Sequence, residues 1–136
     1  MHRIAFAFLL LATTHAHAAV DPGNWEFSME GPLQNNGTTP EVRQRCITPD
    51  EANDPQKVLA EVRSKNDCQI SNLQDSGSEY RFDVACNARV PITGSGAVRY
   101  TPTTMDGSID LVGETRGLRL KTRSFVSGRR LGPCNK

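Results

Sequence analysis

The sequence predicts an all-β domain: an antiparallel meander of about seven to eight strands, forming a small closed or partly open barrel, with one short helical insert (about 49–63) and two disulfides. Three observations carry that prediction. Apolar and polar residues alternate with a period of two in segment after segment, the mark of half-buried antiparallel strands. Glycine, proline and asparagine turn signals recur about every eight to twelve residues. Four cysteines, an even number, sit in a chain that opens like an exported protein. A two-sheet sandwich is the alternative architecture.

Residues 1–18 read as a cleaved secretory signal peptide. Arg3 supplies a short positive region, residues 4–12 an apolar run too short to span a bilayer, and Ala16-His17-Ala18 a small-residue cleavage pattern. An uncleaved N-terminal anchor is the alternative. The expected mature chain is a single β-domain over 19–136. No cysteine follows the cleavage site to carry a lipid, and no later run approaches the roughly 20 apolar residues of a membrane helix. The expected location is periplasmic or secreted, with no transmembrane segment after cleavage.

Cleavage also changes the chemistry the chain can offer. Arg3 goes, leaving 15 basic residues against 15 acidic ones, and all three histidines (His2, His15, His17) go with it. Without histidine there is no Ser-His-Asp or Cys-His nucleophilic site, no imidazole acid–base chemistry, and none of the commonest metal ligand. The expectation is a non-enzyme with no cofactor, no catalytic residues and no metal site.

The segment 68–86, CQISNLQDSGSEYRFDVAC, organises the rest. On its second arm Tyr80, Phe82, Val84 and Cys86 share one face, and Glu79, Arg81 and Asp83 the other. The first arm is weaker, with Cys68 and Ile70 continued by Asn72 and Gln74. A Ser76-Gly77-Ser78 loop sets Cys68 opposite Cys86 and Ile70 opposite Val84, at about 4.5–5.5 Å between Cα atoms, a spacing that suits a disulfide. An Asp75-Ser76-Gly77 loop instead leaves the cysteines diagonal. The favoured pairing is Cys68–Cys86 with Cys46–Cys134; Cys46–Cys68 with Cys86–Cys134 is the runner-up, since it would staple the base of the helical insert.

In chain order, Asp21-Pro22-Gly23 turns into a strand with Trp25, Phe27 and Met29 on one face and Glu26, Ser28 and Glu30 on the other. Gly31-Pro32 ends it, and Asn35-Asn36-Gly37 reads as a turn or mobile loop. A second strand over 41–47 sets Arg43 and Arg45 against Val42, Gln44 and Cys46. Thr48-Pro49-Asp50-Glu51 is a capping box with proline at the first helical position. Asp54-Pro55 repeats the device, so one short turn precedes a second helix to about Arg63, with Val58, Leu59 and Val62 as its apolar stripe. That insert closes one end of the fold or, in a sharper reading, acts as a lid. Past the hairpin, 94–101 carries Val98 and Tyr100, and 105–112 sets Met105, Ile109 and Leu111 inward. After a turn over 113–117, Leu118, Leu120 and Val126 alternate with Arg119, Lys121 and Arg123, while Phe125 falls on the polar face.

The order of these pieces is familiar. Pro22-Gly23-Asn24-Trp25-Glu26, Cys46-Ile47-Thr48-Pro49-Asp50-Glu51-Ala52, Asp67-Cys68, Cys86 and Gly128-Arg129-Arg130-Leu131-Gly132-Pro133-Cys134 together resemble the bacterial exported family catalogued as domain of unknown function 3617 (DUF3617). The resemblance spans nearly the whole expected mature chain and implies a small periplasmic or secreted domain. It implies no activity and carries over no catalytic or binding residue. The glycine-rich part of the second half looks shorter and less methionine-rich than the family pattern.

Three function classes follow. The first expectation is a non-catalytic binding or interaction module of the bacterial cell envelope. After Glu114 the chain holds seven basic residues and no acidic one, and Arg119, Lys121 and Arg123 form one row, a candidate anion-binding face. Envelope partners for such a face are an acidic protein, a glycan or an anionic lipid surface rather than nucleic acid. The bland reading is a solvated strand face whose charges guard an edge. The second class is a carrier holding a small apolar ligand among Trp25, Phe27, Tyr80, Phe82 and Tyr100, which otherwise simply fill the core. The third is a carboxylate-based hydrolase, for which Asp106 and Asp110 are no better placed than chance, or a metal site at Asp50, Glu51 and Asp54, which capping already explains.

Overall fold

The computed structural model describes residues 20–31, 39–63, 67–87 and 89–135. The expected signal peptide and the loop at Asn35-Asn36-Gly37 lie outside the described residues. Seven strands form one antiparallel sheet: β1 (Gly23–Glu30), β2 (Glu41–Ile47), β3 (Cys68–Asp75), β4 (Glu79–Cys86), β5 (Ile92–Tyr100), β6 (Thr104–Thr115) and β7 (Leu118–Gly132). The spatial order is β2-β1-β7-β6-β5-β4-β3.

This refines the expected meander in two ways. Strands β3 to β7 do run as successive hairpins, but β7 then pairs with β1, which places β2 and β3 at opposite edges. The sheet is not closed by hydrogen bonds, and it is one sheet rather than a two-sheet sandwich. What joins its edges is the chain between β2 and β3. It carries three single-turn helices, α1 (Pro49–Ala52), α2 (Pro55–Val58) and α3 (Ala60–Arg63), where the sequence predicts a turn and one longer helix. The break falls at Leu59, whose amide bonds back to Pro55 and Lys57 as the cap of α2. Ala52, Val58, Leu59 and Val62 from this insert are buried in the same core as the strand residues. The insert therefore packs into the core on the inner side of the sheet, with α2 and α3 beside edge strand β3.

Period-2 alternation decides which residues reach that core. Trp25 and Phe27 from β1, Tyr80, Phe82 and Val84 from β4, Val98 and Tyr100 from β5, and Met105, Ile109 and Leu111 from β6 all point inward and are buried. Glycine is needed where the ring of Phe82 lies over β5: a Cβ on Gly96 would sit 2.5 Å from that ring.

The hairpin 68–86 matches its favoured register at one end and departs at the other. Cys68 pairs with Cys86 and Ile70 with Val84, as the Ser76-Gly77-Ser78 loop requires, but Asp75 pairs with Tyr80, one residue out of step. The slip is a bulge between Ser71 and Gln74, with Asn72 in the left-handed region at φ 51°. It reverses the faces beyond it: Asn72 and Gln74 turn outward, and Leu73 packs against the core. Both disulfides follow the favoured pairing, Cys68–Cys86 with Cα atoms 4.0 Å apart and Cys46–Cys134 at 5.4 Å. The second ties edge strand β2 to the end of β7.

Candidate functional site

Strands β6 and β7 outrun their neighbours. The pairing of β1 with β7 stops at Glu30 opposite Phe125, and that of β5 with β6 stops at Ile92 opposite Gly113. Over residues 118–123, β7 has β6 on one side and no strand on the other among the described residues. The expected turn over 113–117 shortens to two residues, Arg116 and Gly117, both at positive φ (49° and 76°) between the paired Thr115 and Leu118. That is the tight turn whose twist matches a two-stranded arm.

The arm keeps the alternation of the rest of the sheet without its burial. Leu118, Leu120 and Thr122 lie on the inner side, and Arg119, Lys121 and Arg123 on the outer. Leu118 is 65% exposed and Leu120 56%. Phe125, at the root of the arm on the outer face, is 52% exposed. Isolated exposed apolar residues are ordinary, but Leu118 and Leu120 are exposed side by side on one face of the arm, with Phe125 on the other.

The cations of the arm do not form a bare row. The guanidinium of Arg123 donates to both oxygens of Asp110 on β6, at 2.6 and 3.3 Å, a hydrogen-bonded pair that pushes the Arg123 pKa up. Arg119 lies 3.8 Å from Glu114, also on β6. Lys121 sits between them and faces Val112. The structure thus brings all three predicted residues together and sets two of them against carboxylates. Farther along β7, Arg129 reaches Glu26 on β1 at 3.0 Å, and the Arg130 side chain donates to the Pro22 carbonyl at 2.9 Å.

The five aromatics proposed as ligand-facing or core are all buried inside the fold, and four of them stack in two pairs. Trp25 and Phe27 stack with ring centres 6.0 Å apart, Tyr80 and Tyr100 with centres 4.3 Å apart. The indole N–H of Trp25 donates to the Asp21 carbonyl at 2.9 Å. The Tyr100 hydroxyl donates to Asp75, which the bulge at Asn72 has turned inward. Burial is the first cause, and the bond to Asp75 the second, of a Tyr100 pKa pushed up to about 12. Tyr80 is fully buried, its hydroxyl makes no hydrogen bond, and burial with the neighbouring Tyr100 and Asp75 pushes its pKa higher still.

The candidate carboxylates have local explanations. Glu51 accepts from the Thr48 amide and Asp54 from the Gln56 amide, completing the predicted caps. Asp83 accepts from Asn72, and Asp110 is held by Arg123. Among the described residues no group of three or more histidine, cysteine or acidic side chains is placed to hold a metal ion. A shallow groove of about 340 Å³ crosses the outer face of β3 to β6, with Asn72, Arg81, Asp83, Ser95 and Asp110 on its walls and floor. No described helix is long and apolar enough to cross a membrane.

One structural residue escaped the sequence pattern. Arg45 is on the inner face of β2, opposite Trp25, and not on a solvent face. Its guanidinium lies 5.5 Å from the centre of the Phe27 ring and donates to the Lys57 and Val58 carbonyls at 3.0 and 3.3 Å. Glu61 is within ion-pair distance of its Nε at 3.1 Å, without hydrogen-bond geometry. The usable signal was phase: Arg43 and Arg45 share a face with Ile47, which is the buried end of the strand.

The family described as "Protein of unknown function (DUF3617)" matches residues 20–134. No curated protein and no solved structure matches the chain. The matched region holds every strand and both disulfides, and the chain belongs to this family.

Proposed function

We propose that this member of the family is a non-catalytic interaction module of the bacterial cell envelope, and that the β6–β7 arm is its contact element. The observation that carries the reading is the arm itself: two leucines more than half exposed on an edge strand that no described strand covers. A domain that only needed to fold would bury such residues or replace them, because an open apolar edge invites pairing. The two disulfides suit an oxidising compartment outside the cytoplasm. The carrier reading has less support, because the aromatics that would line a ligand are buried in the core, four of them stacked in pairs.

The test is site-directed photo-crosslinking in cells making the full chain. A benzophenone side chain at position 118 or 120 should give discrete adducts, and the same probe at Thr93, an exposed residue on the outer face of β5, should not. Equal labelling from all three positions, or none from the arm, overturns the assignment.

A further inference from the structure

We infer that the arm's partner is an extended peptide segment, with acidic and apolar side chains in alternation, that adds as a further strand to the edge of β7 that no described strand covers. The inference rests on the arm being the contact element and names what it contacts.

Strand β1 shows what this edge accepts. It pairs antiparallel with the second half of β7, placing Trp25, Phe27 and Met29 inward and Glu26, Ser28 and Glu30 outward. Glu26 pairs with Arg129 across the ladder. At Glu30 the pairing stops and Gly31 lies against Arg123 and Ser124, while β7 continues toward Leu118 with the same alternation. A strand laid in line with β1 meets Leu118, Leu120 and Thr122 on one side and Arg119, Lys121 and Arg123 on the other. The side chains that complement this edge are apolar inward and acidic outward, which is the pattern of β1. The three arginines at outward positions 119, 123 and 129 already use cross-strand carboxylates on β6 or β1. Lys121, facing Val112, has its carboxylate position open on the edge side.

Two other occupants fit less well. Antiparallel self-pairing of two copies about Lys121 sets that lysine against itself and Arg119 against Arg123, and like charges directly opposite destabilise a ladder. An anionic bilayer is a plane, and the leucines and the cations point to opposite sides of the strand, so a bilayer takes one set or the other. A strand in the plane of the sheet takes both at once, with backbone hydrogen bonds in addition.

The test titrates the isotopically labelled full chain with a synthetic peptide of alternating valine and glutamate, long enough to span residues 118–123. Peptide binding should shift and slow amide exchange within that span, and weaken about tenfold or more when salt is raised from 0.05 to 0.5 M. Lys121→Glu should weaken it similarly, and so should methylating alternate peptide nitrogens on the ladder-forming edge. Equal binding by the methylated peptide, or by a valine–lysine peptide, overturns strand addition. So does perturbation of the arm by phosphatidylglycerol vesicles with no response to the peptide, which assigns the arm to a lipid surface. Adducts at positions 118 and 120 alongside failed peptide binding would sink this inference alone; loss of the adducts would sink the contact element as well.

Discussion

Residues 125–129 of β7 lie between β1 and β6, and there Val126 is 5% exposed against Met29 and Gly107. Residues 118–122 of the same strand have β6 alone among the described residues, and there Leu118 and Leu120, in phase with Val126, are exposed. The alternation is continuous through both halves. What changes between them is the number of strands alongside, together with the core that the inner face meets. Alternation assigns a side chain to a face; only neighbours bury it. On the proposed reading, the apolar residues this edge keeps without a described neighbour serve contact and not folding.

The largest effect should come from releasing the buried end of β7. The Cys46–Cys134 bridge spans a sequence separation of 88, against 18 for Cys68–Cys86. Constraint of the unfolded chain then favours the long bridge, at about 4–5 kcal/mol against about 3 kcal/mol for the short one. Denaturant unfolding of the Cys46→Ser, Cys134→Ser double variant should show that order relative to Cys68→Ser, Cys86→Ser. Amide exchange should quicken over 125–132 in the first variant and stay unchanged over 118–123. An arm that loosens equally would mean the two halves of β7 open together, and the contrast between them would fall.

Single substitutions on the inner face should come next. Arg45→Met removes the donor that holds two carbonyls at the end of α2 and leaves Glu61 without that partner, a loss of about 2 kcal/mol. Val126→Ala removes two methyl groups from a packed site, also at about 2 kcal/mol. Thermal or denaturant unfolding of each checks both. A cation beneath the insert should thus matter to stability more than the arm's cations, whose pairs are exposed.

Smaller changes are expected at the tyrosines. Tyr80→Phe removes a buried hydroxyl that has no partner and keeps the ring, so stability should rise by about 1 kcal/mol in denaturant unfolding. Tyr80 and Tyr100 are the only tyrosines in the chain. Absorbance at 295 nm should therefore show almost no tyrosinate at pH 10, where an ordinary tyrosine is half ionised. Because folding raises both pKa values, the folded state holds these protons after the unfolded chain has released them. The associated stability is complete below pH 10 and declines as pH rises through the Tyr100 value of about 12. Half-ionisation at pH 10 would mean the stacked pair is open to water, and the core no more closed than the arm.

The sequence showed most where one rule acted alone. Strong alternation in 79–86, with a cysteine at each end of the hairpin, was enough for the register at the disulfide end, and the Thr48 and Asp54 caps were legible as short-range chemistry. It failed where two elements compete. Leu73 was out of phase with Ile70, and that was the trace of the bulge at Asn72, yet a bulge and a weak strand look alike until the partner strand is known. Arg45 could be set on one face with Arg43, but not assigned to the inner side, because the carbonyls it serves come from an insert twelve residues on. Strand order was hidden for the same reason: nothing local tells β7 to return beside β1, so a closed and a partly open barrel could not be told apart. For the arm, Phe125 and the three cations were visible as a pattern, but the absence of a neighbouring strand is a property of the whole fold.

The smallest effect is the most discriminating. Leu118→Ser with Leu120→Ser should change stability by less than about 0.5 kcal/mol, as exposed substitutions do, although the same apolar-to-small change at Val126, six residues along the strand, costs several times that. If the leucine pair proves as costly as Val126→Ala in equilibrium unfolding, the arm is packed within the isolated chain and its leucines need no partner. If the variant folds with unchanged stability and the wild-type adducts at position 118 vanish when Leu120 alone is changed to Ser, the leucines act in contact and not in folding. A residue that costs the fold nothing to lose and the partner everything is what distinguishes an interface from a core.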